Sequence, residues 1–264
     1  MLIVGERINS SRKSIARAIL EKDKAFIKNE ARIQTEAGAD FIDVNAGQFA
    51  GSETEYLSWL VEIVQEATNV PLCLDSADPK AIKAVLPLVH KTPMINSVTL
   101  ERRLFDTLLP VILEQKCKVI ALCQSGSRVA HSPFEKLELA GELIENLTRA
   151  GLSRDQIFID PLVFPLATDT GSAKATLAAI SAIKTGYPGV QTICGLTNIS
   201  FGLPERRLIN RTFLVSAIRM GLDATIIDPT DKQLFAALKA GLLIDDQDRF
   251  AQNYIAAFRQ GRLT

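Results

Sequence analysis

The chain has 264 residues, of which 47% are hydrophobic and 23% are charged. These proportions are typical of a globular protein and exclude an intrinsically disordered one. Lysine plus arginine and aspartate plus glutamate number 30 each, so the formal net charge is zero. Because no excess positive charge is present to hold a polyanion, we expect no nucleic-acid partner.

Short runs rich in β-branched and apolar residues alternate with longer amphipathic stretches along the whole chain. Eight of the short runs predict β-strands, in chain order Leu2–Ile8, Phe41–Asn45, Pro71–Asp75, Pro93–Ser97, Lys118–Gln124, Gln156–Asp160, Gln191–Leu196 and Ala224–Asp228. The clearest predicted helices are Glu53–Thr68, Pro79–His90, Leu100–Gln115, Phe134–Ala150, Ser172–Gly186 and Glu205–Gly221. A final stretch, Lys232–Arg259, predicts two helices separated by a break at Gly241–Asp246. The repeating unit is therefore a strand followed by a helix.

The number of these units decides between two α/β architectures. Eight strand–helix units in about 250 residues match a closed (β/α)8 barrel, whereas an open doubly wound sheet usually has fewer strands. No linker and no low-complexity segment interrupts the alternation. The sequence thus predicts a single TIM-barrel domain over residues 1–264.

The cellular location of the protein and the redox state of its cysteines are predicted from short sequence motifs. Glu6 and Arg7 follow the first apolar residues too soon for a signal peptide. No apolar run approaches the roughly 20 residues that cross a bilayer. The four cysteines form no C-x-x-C pair and therefore indicate no zinc or redox motif. We expect a cytoplasmic protein with reduced thiols, no bound metal and no membrane partner.

Polar side chains collect at the carboxyl ends of the predicted strands, where barrels of this type carry their active sites. In chain order they are Glu6, Arg7, Asn9, Asp43, Asn45, Asp75, Ser76, Asn96, Ser97, Gln124, Ser125, Asp160, Thr197, Asn198 and Asp228. Any one of them alone is more often a turn or helix-capping residue than a functional one. Because eight strand ends converge on one mouth, the set predicts a polar pocket rich in carboxylates and amides.

The residues that are missing narrow the chemistry. No lysine stands at a strand end to form a Schiff base, and the chain holds only two histidines, too few for a histidine-rich metal site. The glycine-rich phosphate and dinucleotide motifs are absent. Carboxylates and amides without metal or lysine suit a neutral, planar heterocycle such as a pterin, whose amino-pyrimidinone edge donates N–H groups to a carboxylate.

Seven segments at successive strand ends then carry a family resemblance. They are Gly5–Asn9, Asp43–Asn45, Leu72–Ser76, Met94–Ser97, Ile159–Leu162, Gly195–Ser200 and Leu208–Phe213. Together they resemble the pterin-binding methyltransferases that move a methyl group between tetrahydrofolate and a corrinoid protein. They are more distantly similar to the folate domain of cobalamin-dependent methionine synthase. The similarity spans nearly the whole chain.

The resemblance implies roles for particular residues. It implies that Asp75, Asn96 and Asp160 bind the pterin and that Asn198 binds it near N5 and acts as the catalytic residue. Supporting residues around them are expected to be Glu6, Asp43, Asn45, Ser97 and Arg211. No residue is expected to bind a metal.

The resemblance also implies the reaction and the partners. Tetrahydrofolate or methyltetrahydrofolate would be the substrate, and the methyl group would move to or from cobalt. Such an enzyme can serve as the second methyltransferase of a demethylase system. The corrinoid (cobalamin) is expected on a separate protein that docks transiently, because the D-x-H-x-x-G signature of corrinoid domains is absent from this chain. A homodimer is also implied.

Two alternatives stay open at this point. A synthase similar to dihydropteroate synthase would join a pterin to an amine with loss of pyrophosphate. It would need cations such as Arg7, Arg206, Arg207 and Arg211, and its pterin-contacting lysine has no counterpart in Cys194–Asn198. A non-catalytic folate-binding protein would need the pterin-binding carboxylates but not the amide near N5.

Overall fold

The computed structural model describes residues 1–126 and 128–263, and at positions 103, 104 and 128 it describes the backbone alone. The strands are β1 (Leu2–Asn9), β2 (Phe41–Asn45), β3 (Leu72–Asp75), β4 (Met94–Val98), β5 (Lys118–Leu122), β6 (Gln124–Ser125), β7 (Arg128–Val129), β8 (Ile157–Asp160), β9 (Gln191–Gly195) and β10 (Ala224–Ile227). The α-helices are α1 (Lys13–Leu20), α2 (Lys24–Glu36), α3 (Glu53–Ala67), α4 (Pro79–Val85), α5 (Arg102–Glu114), α6 (Pro133–Arg149), α7 (Ser172–Gly186), α8 (Arg206–Arg219), α9 (Lys232–Ile244) and α10 (Gln252–Arg259). Short 3-10 turns lie at Leu86–Leu88, Arg154–Gln156, Leu196–Ser200 and Arg249–Ala251.

Eight of the described strands close into a parallel barrel. The ring runs β1, β2, β3, β4, β5, β8, β9 and β10, and β10 pairs again with β1 through Leu2 and Ala224. The two remaining strands, β6 and β7, form a small antiparallel hairpin after β5. Helices connect the parallel strands, so the predicted (β/α)8 TIM barrel is confirmed.

A cluster of apolar side chains fills the barrel interior. Each barrel strand contributes one of its members, which are Val4, Phe41, Cys73, Met94, Ile120, Phe158, Ile193 and Ala224. The opposite faces of the strands pack with the helices in two further buried clusters. Because the interior is packed, a ligand has room only at an end of the barrel.

Three predicted boundaries are wrong. The strand predicted to reach Gln124 ends at Leu122, and Gln124 instead begins the β6–β7 hairpin. The helix predicted over Pro79–His90 gives way to a 3-10 turn after Val85, because Pro87 has no N–H to continue the helical hydrogen bonds. The break predicted at Gly241–Asp246 begins only after Ile244, at the end of α9. Gly241 is inside α9, where a Cβ atom would lie 2.8 Å from Ile218 Cδ1 of α8.

None of the helices in the described ranges is both long enough and apolar enough to span a membrane.

Arg7 ties together the two strands at which the barrel closes. Its Nε donates to Glu30 Oε2 of α2 at 2.7 Å, and its Nη1 donates to Asp228 Oδ2, just after β10, at 2.8 Å. Nη1 also donates to Thr230 Oγ1 at 3.1 Å. Glu30 is buried, so its carboxylate depends on this guanidinium for a charged partner.

We expect Arg7→Met to lower the free energy of unfolding by about 2 kcal/mol, because the buried Glu30 carboxylate loses its counter-charge. Denaturant unfolding at neutral pH measures the change. Arg17→Met is the matched control, since the Arg17–Glu21 pair is exposed on α1, and we expect it to cost less than about 0.5 kcal/mol. Equal losses of free energy of unfolding in Arg7→Met and Arg17→Met would contradict the stabilising role of the Arg7–Glu30 pair.

Candidate active site

The carboxyl ends of the barrel strands surround an open cavity of about 790 Å³. Of the nine residues to which the family resemblance assigns a role, five line it, namely Glu6, Asp43, Asp75, Asn96 and Asn198. They come from the ends of β1, β2, β3, β4 and the 3-10 turn after β9. Residues far apart in the sequence therefore meet at one polar surface.

Asp75 is held in place by an amide from the neighbouring strand. Asn45 Nδ2 donates to Asp75 Oδ2 at 3.0 Å, and Asn45 Oδ1 in turn accepts from Ser10 Oγ at 3.0 Å. Burial raises the pKa of Asp75 to about 6, the Asn45 hydrogen bond lowers it, and the charge of Glu53 adds to the rise. Asn45 is thus an orienting residue for Asp75 and is not itself part of the cavity lining.

Asp43 lies next to Asp75 and is fully desolvated. Burial, and then the charge of Asp75, raise its pKa well above the usual range, against hydrogen bonds from the side chains of Cys73 and Asn96. Its Oδ1 atom is buried with no hydrogen-bond partner in the described part of the chain. The bond to Asp43 orients the Asn96 amide at the cavity wall.

Glu6 is a third carboxyl group with a raised pKa. Burial raises the pKa of Glu6 to about 7, although the Arg12 guanidinium and the Thr197 hydroxyl oppose the rise. Arg12 Nη2 lies 3.5 Å from Glu6 Oε1. The charge of Asp228 raises the pKa of Glu6 further.

Asn198 reaches into the cavity from the 3-10 turn after β9. Its Nδ2 atom lies 3.2 Å from the position that a Cβ atom on Gly195 would occupy, so the glycine leaves room for the amide. Arg206 holds the turn through hydrogen bonds to the Thr197 carbonyl at 2.8 Å and to Ser200 Oγ at 3.0 Å. The side chain of Asn198 is exposed on this constrained turn.

Asp160 lies next to the cavity rather than in its lining. It is 6% exposed, and its Oδ1 accepts from the backbone N–H of Leu162 at 2.8 Å. A second backbone hydrogen bond comes from Gly195, which does line the cavity. Burial raises the pKa of Asp160 to about 6, and both hydrogen bonds oppose that rise.

The remaining two predicted residues do not reach the cavity. Ser97 follows Asn96 in β4, joined to it by a cis peptide bond, and is outside the lining. Arg211 is also outside it, because it lies on the side of α8 that faces α9 and donates to Gln233 Oε1. The same helix instead presents Arg206 and Arg207 to the cavity.

Sequence reasoning missed Asn210, which lines the cavity from α8. It is 8% exposed, and its Oδ1 has no hydrogen-bond partner among the described residues. Its position four residues after Arg206 places both side chains on one face of the helix, and that spacing was the available signal. Buried acceptors without donors are rare in proteins, so Asn210 and Asp43 both indicate a ligand that supplies N–H groups.

No group of three or more histidine, cysteine, aspartate or glutamate side chains that could hold a metal ion occurs in the ranges 1–126 and 128–263.

Comparison with known proteins adds three sequence matches. The family described as pterin binding enzyme matches residues 5–228. The chain is 38% identical over 265 residues to the methylcorrinoid:tetrahydrofolate methyltransferase of Eubacterium limosum, with 100% of this chain and 98% of that protein covered. It is 29% identical over 240 residues to the methionine synthase of Mycobacterium tuberculosis, covering 86% of this chain and 20% of that longer protein.

Solved structures share the barrel at lower sequence identity. A dihydropteroate synthase from Xanthomonas albilineans superposes with a TM-score of 0.71 at 19% identity, covering 94% of this chain and 93% of that one. The dihydropteroate synthase of Yersinia pestis gives 0.69 at 16% identity, with 93% of each chain covered. These matches show the shared fold.

The raised pKa of Glu6 means that its ionised form is destabilised in the folded protein. The stability that the neutral carboxyl group contributes is full below about pH 4.5 and is lost as the pH rises to about 7. We therefore expect Glu6→Gln to raise the free energy of unfolding of the ligand-free protein at about pH 8, by about 2 kcal/mol, and to change little at about pH 4.

Denaturant unfolding at the two pH values measures this difference. Glu21→Gln, at the exposed residue that follows α1, is the matched control, and we expect it to change stability by less than about 0.5 kcal/mol at either pH. A Glu6→Gln variant less stable than the wild type at about pH 8 would contradict a raised pKa for Glu6.

Proposed function

The chain belongs to the pterin-binding enzymes, and from that premise we propose that it is a methyltransferase that moves a methyl group between a corrinoid protein and N5 of tetrahydrofolate. Similarity over the full chain to a protein named for this reaction supports the proposal. The observation that carries it is the meeting of Asp75, Asn96 and Asn198 at one open cavity. By the name of that relative, the methyl group moves from the corrinoid to tetrahydrofolate, as in the second step of a demethylase system.

The carboxylates and amides of the cavity wall, together with Asp160 next to it, bind the pterin ring. Asp75 and Asp160 accept hydrogen bonds from its N–H groups, and a charge-assisted bond of this kind contributes about 1.5–3 kcal/mol. Asn96 donates and accepts at the ring edge. The unpartnered oxygens of Asp43 and Asn210 are further acceptors for a ligand rich in donors.

Methyl transfer is a displacement at the methyl carbon. The N5 lone pair of tetrahydrofolate forms the new N–C bond, the cobalt–carbon bond breaks, and its electron pair stays on cobalt as Co(I). The proton of N5 leaves to water in the open cavity. The Asn198 amide, fixed by its turn, hydrogen-bonds at N5 as charge changes there, and this lowers the barrier in either direction.

The corrinoid is carried by a separate protein, since this chain has no corrinoid-binding signature. The cavity opens at the end of the barrel, so a partner can place its corrin over the folate and then leave. The homodimer, the cytoplasmic location, the single domain and the absence of nucleic-acid and membrane partners stay predictions. Analytical ultracentrifugation of the purified protein tests the first of them.

Incubation of the protein with methyltetrahydrofolate and Co(I) cobalamin tests the reaction, with methylcobalamin followed by its absorbance. The assay is repeated with a methylated corrinoid protein and tetrahydrofolate, because free cobalamin is a poorer mimic of the docked partner. We expect transfer in both directions. No transfer in either assay, with condensation of a pterin diphosphate and an amine instead, would favour the synthase alternative.

We expect Asn198→Ala to slow methyl transfer by about 100-fold, because one preorganised hydrogen bond to the reacting nitrogen is lost. Folate affinity is expected to change by no more than a few-fold, which separates catalysis from binding. Single-turnover rates and folate dissociation constants measure the two effects. Asn69→Ala, at an exposed position that is not in the cavity lining, is the control. An unchanged rate in Asn198→Ala would remove the proposed role.

Gly195→Ala tests the placement of the Asn198 amide. The added methyl group meets Asn198 Nδ2 at 3.2 Å, so we expect methyl transfer slower than in the wild type but faster than in Asn198→Ala. In the Asn198→Ala background the same change is expected to have little further effect, because the two residues act as a unit. Additive losses in a double-mutant cycle would show that Gly195 acts by another route.

A further inference from the structure

Lys136 of α6 is fully buried although nothing in the reaction above uses it. Its Nζ donates to the carbonyl oxygen of Pro161 at 2.6 Å and to that of Leu162 at 2.8 Å. Lysine is almost never fully buried unless its charge is compensated. Two backbone carbonyls satisfy it here, and both belong to the residues directly after Asp160.

The surroundings of the ammonium group keep it in one position. Its Nζ lies 4.9 Å from the centre of the Phe164 ring, which contributes a cation–π contact. Helix α6 begins at a capping box formed by Ser132 and Glu135, so the backbone of Lys136 is anchored one residue later. The side chain therefore spans from a fixed helix terminus to the loop after β8.

Leu162 connects this lysine to the carboxylate of Asp160. Its carbonyl oxygen accepts from Lys136, and its N–H donates to Asp160 Oδ1 at 2.8 Å. Leu162 adopts a φ of 62°, a left-handed conformation that is unfavourable for a residue with a side chain. Thr176 Oγ1 donates to the same carbonyl oxygen at 3.2 Å. The loop is thus held in a strained shape by hydrogen bonds from two helices.

We propose that Lys136 is a positioning residue, which fixes the Pro161–Leu162 backbone and keeps the Asp160 carboxylate ionised and oriented for the pterin. This inference rests on the proposed function, because it assigns Asp160 to pterin binding. Lys136 itself does not line the cavity, so it acts through Asp160.

The charges around the pair determine how pH should act. Lys136 faces Asp160, Asp169, Glu135 and the Cys123 thiol. Asp160 in turn faces Lys136 and the buried thiols of Cys123 and Cys194. Burial raises the pKa of Asp160 to about 6, and the lysine opposes this rise. Without the cation the pKa of Asp160 would rise further, and at neutral pH the neutral acid would have lost an acceptor for the pterin N–H groups.

The test compares Lys136→Met with Lys136→Arg. Methionine keeps the length of the side chain and removes its charge, whereas arginine keeps the charge. Tetrahydrofolate dissociation constants are measured by anaerobic calorimetry from about pH 6 to about pH 9. We expect wild-type affinity to weaken only towards the low end of this range. The midpoint of Lys136→Met is expected to move upward by about one pH unit, so that binding is about twofold weaker at pH 7 and about fivefold weaker at pH 6 and recovers by pH 9.

Lys136→Arg is expected to keep the wild-type midpoint. A merely structural role predicts instead an affinity loss of equal size at every pH. Asp160→Asn, which cannot titrate, is expected to abolish the pH shift caused by Lys136→Met. A Lys136→Met midpoint equal to that of the wild type, or a shift that survives in the Asp160→Asn background, would overturn the inference.

Circular dichroism shows whether each variant folds. Should Lys136→Met fail to fold, Phe164→Leu removes the ring against the ammonium group and is expected to move the midpoint in the same direction by less. No shift in that variant would count against the proposal. Wild-type methyl transfer is measured in parallel: if it is absent, the proposed function fails, and if it is present while the midpoints coincide, only the role of Lys136 fails.

Discussion

Desolvation of carboxyl groups at the mouth of the barrel is the constraint on which the rest of this structure depends. Asp43, Asp75, Asp160 and Glu6 all have raised pKa values, and in each of them burial is the largest cause. Burial of an ionised carboxyl group is unfavourable for folding, because the charged side chain is more stable in water. A ligand that donates N–H groups to these oxygens compensates for the lost water. The site is therefore less favourable empty than filled.

Each group assigned to the folate is supported by a residue from a different element. Asn45 of β2 orients Asp75 of β3, and Asn96 of β4 bonds to Asp43 of β2. Arg206 of α8 holds the turn that carries Asn198. Supporting contacts of this kind keep reacting groups within the small deviations that catalysis tolerates. They also explain why the pocket is assembled from nearly every strand of the barrel.

The fold could be predicted because the alternation of short apolar runs and amphipathic stretches in the sequence corresponds to the strand–helix unit that the barrel repeats. Apart from Lys118 and Thr225, the runs Lys118–Leu122 and Ala224–Ile227 are apolar on both faces, as is typical of parallel strands between a packed interior and a layer of helices. One of the boundaries that failed depended on a neighbour distant in sequence. Gly241 is typical of a helix end, yet here its missing side chain allows α9 to approach Ile218 of α8.

The sequence by itself determined the eight strand–helix units, the polar strand ends and the family resemblance, because these follow from local pattern and residue order. Only the tertiary structure decided which polar groups share the cavity. Arg211 stands one residue from Asn210, but it faces α9 while Asn210 faces the site. The role of Lys136 could not be predicted from the sequence either, since it depends on hydrogen bonds to two carbonyl groups about 25 residues away. Direction and burial of a side chain are set by packing between elements, and spacing along the chain does not specify that packing.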